Sequence, residues 1–204
     1  CPNNLFFVVV GAFDRDAIVD ALKSHWEAIP ARSLPSEALA EEPKQMASRG
    51  VWDEGPFQLA HLNLGWNAPG EEPMEIAALD VLSTILAGGR SSRLYRELRE
   101  RLGIVHGIES WLYHPGPLTL FGLSAVLEPK DCDAARRAID TALSEIFAGS
   151  ITESETNKAV KQTLAHMVSQ YRTSSGQAQE LGSSWLVAGD LRFGRQFVSN
   201  VRKI

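Results

Sequence analysis

Little in this sequence advertises a chemistry. Its two cysteines, Cys1 and Cys132, form no C-x-x-C pair and no disulfide framework. No apolar run approaches the roughly 18 residues of a membrane span, and Leu5–Phe13 (LFFVVVGAF) is too short to be one. With a formal net charge of −5 and no block of like charges at either end, a generally basic nucleic-acid binder is excluded. The five histidines, His25, His61, His106, His114 and His166, never fall in H-x-x-x-H, H-E-x-x-H or H-x-x-E-H, the spacings that aim two imidazoles at one ion. His106 and His114 could meet across a hairpin, but no carboxylate or cysteine spacing supports them, so no metal site is expected in this chain. There is no G-x-S-x-G elbow and no phosphate loop: Gly88-Gly89-Arg90-Ser91-Ser92 follows a helical pattern rather than a strand. No secretory leader, internal repeat or low-complexity tract is visible.

What is present is the composition of an ordinary globular protein, 204 residues with 44% hydrophobic and 22% charged side chains. The chain opens on Cys1 and stops inside an amphipathic pattern (Phe197, Val201, Ile204), which reads as a piece of a longer protein. Leu5–Phe13 reads as a buried strand. The helix after it is capped by Asp14 or Asp16, faces inward with Ile18, Leu22 and Trp26, and ends at Pro30. Residues 31–50 lose periodicity and carry Pro35 and Pro43, the best linker in the chain.

Beyond the linker, Phe57–Trp66 alternates as a half-buried strand, and Met74–Ala87 is helical and apolar over much of its circumference. A helix is expected over Ser91–Leu102, stopping at Gly103. Strands are expected over Ile104–Tyr113 and Leu118–Leu127, joined at His114-Pro-Gly-Pro117. A helix from Asp131 to Gly149, one begun by the Thr152/Glu155 capping box, and one over Gln177–Ala188 complete the pattern. Adjacent strands beside long helices indicate an α+β fold, an antiparallel or mixed sheet with helices packed on it.

The densest chemical feature is GGRSSRLYRELRERLGIVHG, with Arg90, Arg93, Arg96, Arg99 and Arg101 against only Glu97 and Glu100. On an α-helix, Leu94, Leu98 and Leu102 would make an apolar stripe and the arginines would cover the rest. They could form a solvated face, an anion-binding patch, or a fixed fork for a peptide carbonyl or carboxylate.

This segment resembles the signature of the carboxy-terminal domain of the pitrilysin/insulinase and mitochondrial-processing-peptidase family of zinc peptidases. Gly88, Gly89, Ser91, Ser92, Arg93, Leu94, Leu98, Arg99, Glu100 and Gly103 match it. Pro2-Asn3-Asn4-Leu5 through Val10-Gly11-Ala12-Phe13-Asp14, and Gln58–Gly65, resemble two further family blocks in the same order. The resemblance implies that residues 1–30 close a preceding domain, that 31–50 cross over, and that 51–204 are most of a carboxy-terminal peptidase-like domain, truncated at its end. It implies a non-catalytic chamber wall that touches a peptide substrate, with zinc in a missing amino-terminal domain and no cofactor in this chain. The substrate-contacting Arg/Tyr pair of the family maps onto Arg99 and onto His106, which stands where the Tyr would be. The expected partners are the zinc-bearing domain or a partner subunit, with a homo-oligomer also possible. An inactive structural subunit without proteolysis is the alternative, and an isolated arginine-rich module is a third option that needs residues 90–101 fully exposed. Leu5–Val10 is expected to pair as a strand, in its own chain or with another molecule.

Overall fold

The computed structural model describes residues 2–34, 45–70, 72–114 and 119–204. The middle of the expected linker and the Pro115–Pro117 turn lie outside the described residues. The chain divides into two compact units, Cys1–Gly55 and Pro56–Ile204.

In the first unit, α1 (Arg15–Trp26) starts where expected: the Asp14 carboxylate accepts from the N–H groups of Asp16 (2.9 Å) and Ala17 (3.1 Å). Asn3 brackets Arg32, donating to its carbonyl (2.8 Å) and accepting from its N–H (3.3 Å). Phe7 meets Trp26 edge-on, ring centroids 5.4 Å apart. The expected strand at Leu5–Phe13 does not form: the segment has no ladder partner among the described residues, and Leu5, Phe6, Phe7, Val9 and Phe13 are exposed. A strand is made by its neighbour's hydrogen bonds as much as by its own β-branched residues. None of the described residues in this unit is fully buried.

The second unit is α+β. Its sheet has the order β1-β3-β2, from β1 (Ala60–Ala68), β2 (Val105–Tyr113) and β3 (Thr119–Leu127), with both pairings antiparallel. One face of β3 is core: Thr119, Phe121, Leu123, Ala125 and Leu127 are all buried. The other face carries a polar row in which Trp111 donates to Ser124 (2.9 Å) and Ser124 to Asn63 (2.7 Å). The Trp111 ring lies across Gly122, where a Cβ would stand 2.1 Å from it.

Helix α2 (Pro73–Ala87) begins with Pro at its first turn, the Glu75 carboxylate accepting from the Glu72 N–H. Its apolar circumference has a use on both sides. Leu86 and Ala87 pack with Leu94, Leu98, the sheet and α3 (Cys132–Phe147). Ala77, Val81 and Ile85 pack with Ala159 of α4 (Glu153–Gln170) and Val201 of α6 (Phe193–Val201). Ser83–Ser110 (2.7 Å) and Thr84–Thr163 (3.0 Å) stitch α2 to β2 and to α4. Helix α5 (Ser174–Ala188) is capped by Thr173, earlier than the sequence pattern places it, and closes on Gly189 in the left-handed region.

The helix expected over Ser91–Leu102 takes a different form. After one α-turn at Arg93 and Leu94, Tyr95–Arg101 is a π-helix whose wider turn carries Leu102 N–H to the Glu97 carbonyl (2.9 Å). The i, i+4, i+8 stripe therefore breaks. Leu94 and Leu98 are fully buried, whereas Leu102 is 38% exposed.

Candidate functional site

The arginine-rich segment is anchored at both ends by glycine. Gly89 (φ +94°) turns the chain out of α2, and the Ser92 hydroxyl donates back to its carbonyl (2.7 Å). Gly103 (φ +64°) turns it out of the π-helix, with Ile104 N–H bonded to the Leu98 carbonyl (3.0 Å).

Between these turns the arginines have separate tasks. Arg93 forms a two-pronged pair with Glu155, Nε to Oε1 at 2.7 Å and Nη2 to Oε2 at 2.8 Å, and also holds the Ser150 hydroxyl and carbonyl (2.8 Å each). Glu155 closes the capping box of α4, accepting from the Thr152 N–H (3.0 Å) and hydroxyl (2.9 Å). With Arg93 contributing most, its carboxyl is lowered from 4.5 to about 2. Arg93 is thus an internal strut. Arg101 pairs with Glu97 one turn back (Nε to Oε2 2.6 Å) at the surface.

Beside the π-helix runs an open groove of ≈ 1170 Å³ whose walls include Arg96, Glu100, Arg137 and Glu145. Both signs of charge line it, and with Arg93 and Arg101 already paired it is not an anion-binding patch. The segment is half embedded in the core through Leu94 and Leu98, so the isolated arginine-rich module, which needs full exposure, does not describe it.

Arg99 reaches the start of β2, where its Nη1 donates to the Val105 carbonyl at 2.7 Å. There the β2–β3 register slips: Val105 pairs with Leu127 and Gly107 with Val126, so His106 is the extra residue of a β-bulge. A bulge interrupts the ladder locally and re-aims its side chain, and Arg99 supplies a donor at that interruption. His106 is exposed, with Nε2 3.4 Å from Glu128 Oε1 just beyond the end of β3. Arg99 is therefore brought to the backbone adjoining His106, by way of the Gly103 turn.

The other histidines are scattered. His25 Nδ1 lies 2.8 Å from the Ala21 carbonyl, and His166 Nε2 lies 3.1 Å from Gln170. His114 Nδ1 bonds Thr119 (2.7 Å) at the opposite end of β2 from His106, so these two do not meet across the hairpin. Among the described residues no group of three His, Cys, Asp or Glu side chains could hold a metal ion. Cys132 is free and buried at the head of α3, and burial pushes its thiol pKa up.

One pairing and one residue of the site carry no signal in the sequence. Glu155 is visible as a capping-box residue, but its long-range partner Arg93 is not. Glu128 follows β3 without any motif, and only the hairpin register sets it beside His106.

The family described as "Peptidase M16 inactive domain" matches residues 2–163. The zinc protease PqqE of Helicobacter pylori is 27% identical over 207 residues, covering 97% of this chain and 46% of that protein. An uncharacterized zinc protease of Mycobacterium tuberculosis is 33% identical over 196 residues, covering 94% of this chain and 44% of that protein. The chain spans about half the length of the curated relatives it matches. Among solved structures, a protease from Helicobacter pylori superposes with a TM-score of 0.81 at 25% identity, over 96% of this chain and 48% of that one.

Proposed function

This chain belongs to the peptidase M16 inactive-domain family, and from that premise we propose that it serves a zinc protease as the non-catalytic wall of a peptide-binding chamber. Arg99 and His106 are its substrate contacts. The observation that carries this reading is the bulge: Arg99 is tied to the carbonyl that precedes His106, and His106 stands out from the ladder beside it. Among the described residues Arg99 uses one N–H on the backbone, which leaves the rest of its five-donor fork for a peptide carbonyl.

In this reading the zinc belongs to another domain or subunit, which the zinc protease relatives, about twice the length of this chain, leave room for. Residues 1–30 belong with that other part: their described residues carry exposed apolar side chains on both α1 and the extended segment before it, and none of these residues is buried. The zinc-bearing domain or subunit and the peptide are the partners this reading requires.

The test uses the purified 204-residue chain alone and the complete protein that contains it. The chain alone is expected to show no zinc-dependent peptide cleavage. In the complete protein, Arg99→Ala and His106→Ala should each lower kcat/KM by about tenfold, the size of one lost hydrogen bond to substrate. Cleavage by the isolated chain would overturn the assignment. A complete protein with no H-x-x-E-H and distal glutamate would make this chain a structural partner without proteolysis.

A further inference from the structure

The contact at the bulge has a polarity that follows from its neighbour. A carboxylate accepts hydrogen bonds and donates none. The nitrogen of His106 that faces Glu128 is Nε2, at 3.4 Å, so this contact is a hydrogen bond only when the neutral ring carries its proton on Nε2. In that form Nδ1 carries the lone pair, and among the described residues nothing donates to it. We infer that Glu128 is a positioning residue that fixes His106 as a hydrogen-bond acceptor, so that the Arg99/His106 pair takes the main-chain carbonyl and N–H of an extended peptide.

This rests on the peptide-contact reading above and deepens it. In an extended chain the N–H and C=O of one residue point to the same side, the arrangement that lets antiparallel strands exchange paired bonds. The free donors of the Arg99 fork suit the carbonyl, and Nδ1 suits the N–H. A phenol at position 106 could donate to a substrate oxygen, whereas an imidazole held by Glu128 accepts.

Ring-nitrogen NMR of the 204-residue chain, under conditions where the imidazole is neutral, tests the first half. His106 should be protonated at Nε2. Glu128→Ala should give a mixture of both tautomers, and Glu128→Gln, whose amide oxygen still accepts, should restore the Nε2–H form. A ring protonated mainly at Nδ1, or a tautomer ratio indifferent to Glu128→Ala, would overturn the proposal.

The second half uses an unstructured Ala/Ser peptide and a series of analogues N-methylated one residue at a time. One N-methyl position should weaken binding roughly 5- to 10-fold, and His106→Phe should abolish the sensitivity at that position. Peptide binding without any such position would overturn the acceptor role and leave the peptide contact standing. No peptide binding, with the ring signature as expected, would instead overturn the contact itself.

Discussion

Glu155 joins two jobs in one carboxylate. It completes the first turn of α4 and receives Arg93 from the far side of the core. The pair is a third exposed or less on either side chain, 19% for Arg93 and 33% for Glu155, so it is worth more than a surface ion pair. Because the folded carboxyl lies at about 2 rather than 4.5, its stabilisation is complete above 4.5 and is lost as pH falls toward 2. Glu155→Gln should therefore cost about 1–2 kcal/mol near neutral pH, after allowance for solvent screening. Urea titrations should show the difference from the parent shrinking as the solution is acidified, and a pH-independent difference would contradict this origin. Gly122 makes a second prediction. A methyl group there meets the Trp111 ring, so Gly122→Ala should cost about 1–3 kcal/mol and shift the tryptophan fluorescence as the Trp111–Ser124 bond breaks.

At the scale of elements, the π-helix separates residues that a sequence pattern treats as equals. Leu98 and Leu102 occupy successive positions of one α-helical stripe, yet only Leu98 is buried. Leu98→Ala should cost about 2–5 kcal/mol and Leu102→Ala under about 1 kcal/mol, measured by chemical denaturation. Equal losses would mean an ordinary α-helix. Most other elements of the second unit were legible because their signals are local: alternation in β1, the Thr152/Glu155 box before α4, and Gly189 after α5. The π-turn was not legible, since its apolar spacing over one or two turns matches an α-helix and the extra residue shows only in the hydrogen bonds. The bulge at His106 was hidden for a related reason, as register is a property of two strands. At Leu5–Val10 apolar β-branched residues announce a strand without saying where its partner is, and no partner lies among the described residues of this chain. Of the candidate site, Arg99 and His106 were reached through the family pattern, whereas Glu128 depended on the hairpin register.

At the scale of the whole molecule, every fully buried side chain among the described residues belongs to the second unit. A chain of residues 56–204 should consequently unfold cooperatively, with a urea midpoint close to that of the 204-residue protein. Residues 1–55 alone should give no cooperative transition by circular dichroism, because an amphipathic helix and one extended segment bury too little to offset their chain entropy. The strand order of the second unit has a consequence in time as well. β2 and β3 are neighbours in sequence, but β1 is separated from its partner β3 by α2, the π-helical segment and β2. The hairpin can therefore close early, at small loop entropy, while the opposite edge of β3 waits for a distant strand to return. During that wait β3 is a partly finished template, and the rate at which β1 arrives decides whether the nascent chain completes its own sheet or is captured by another.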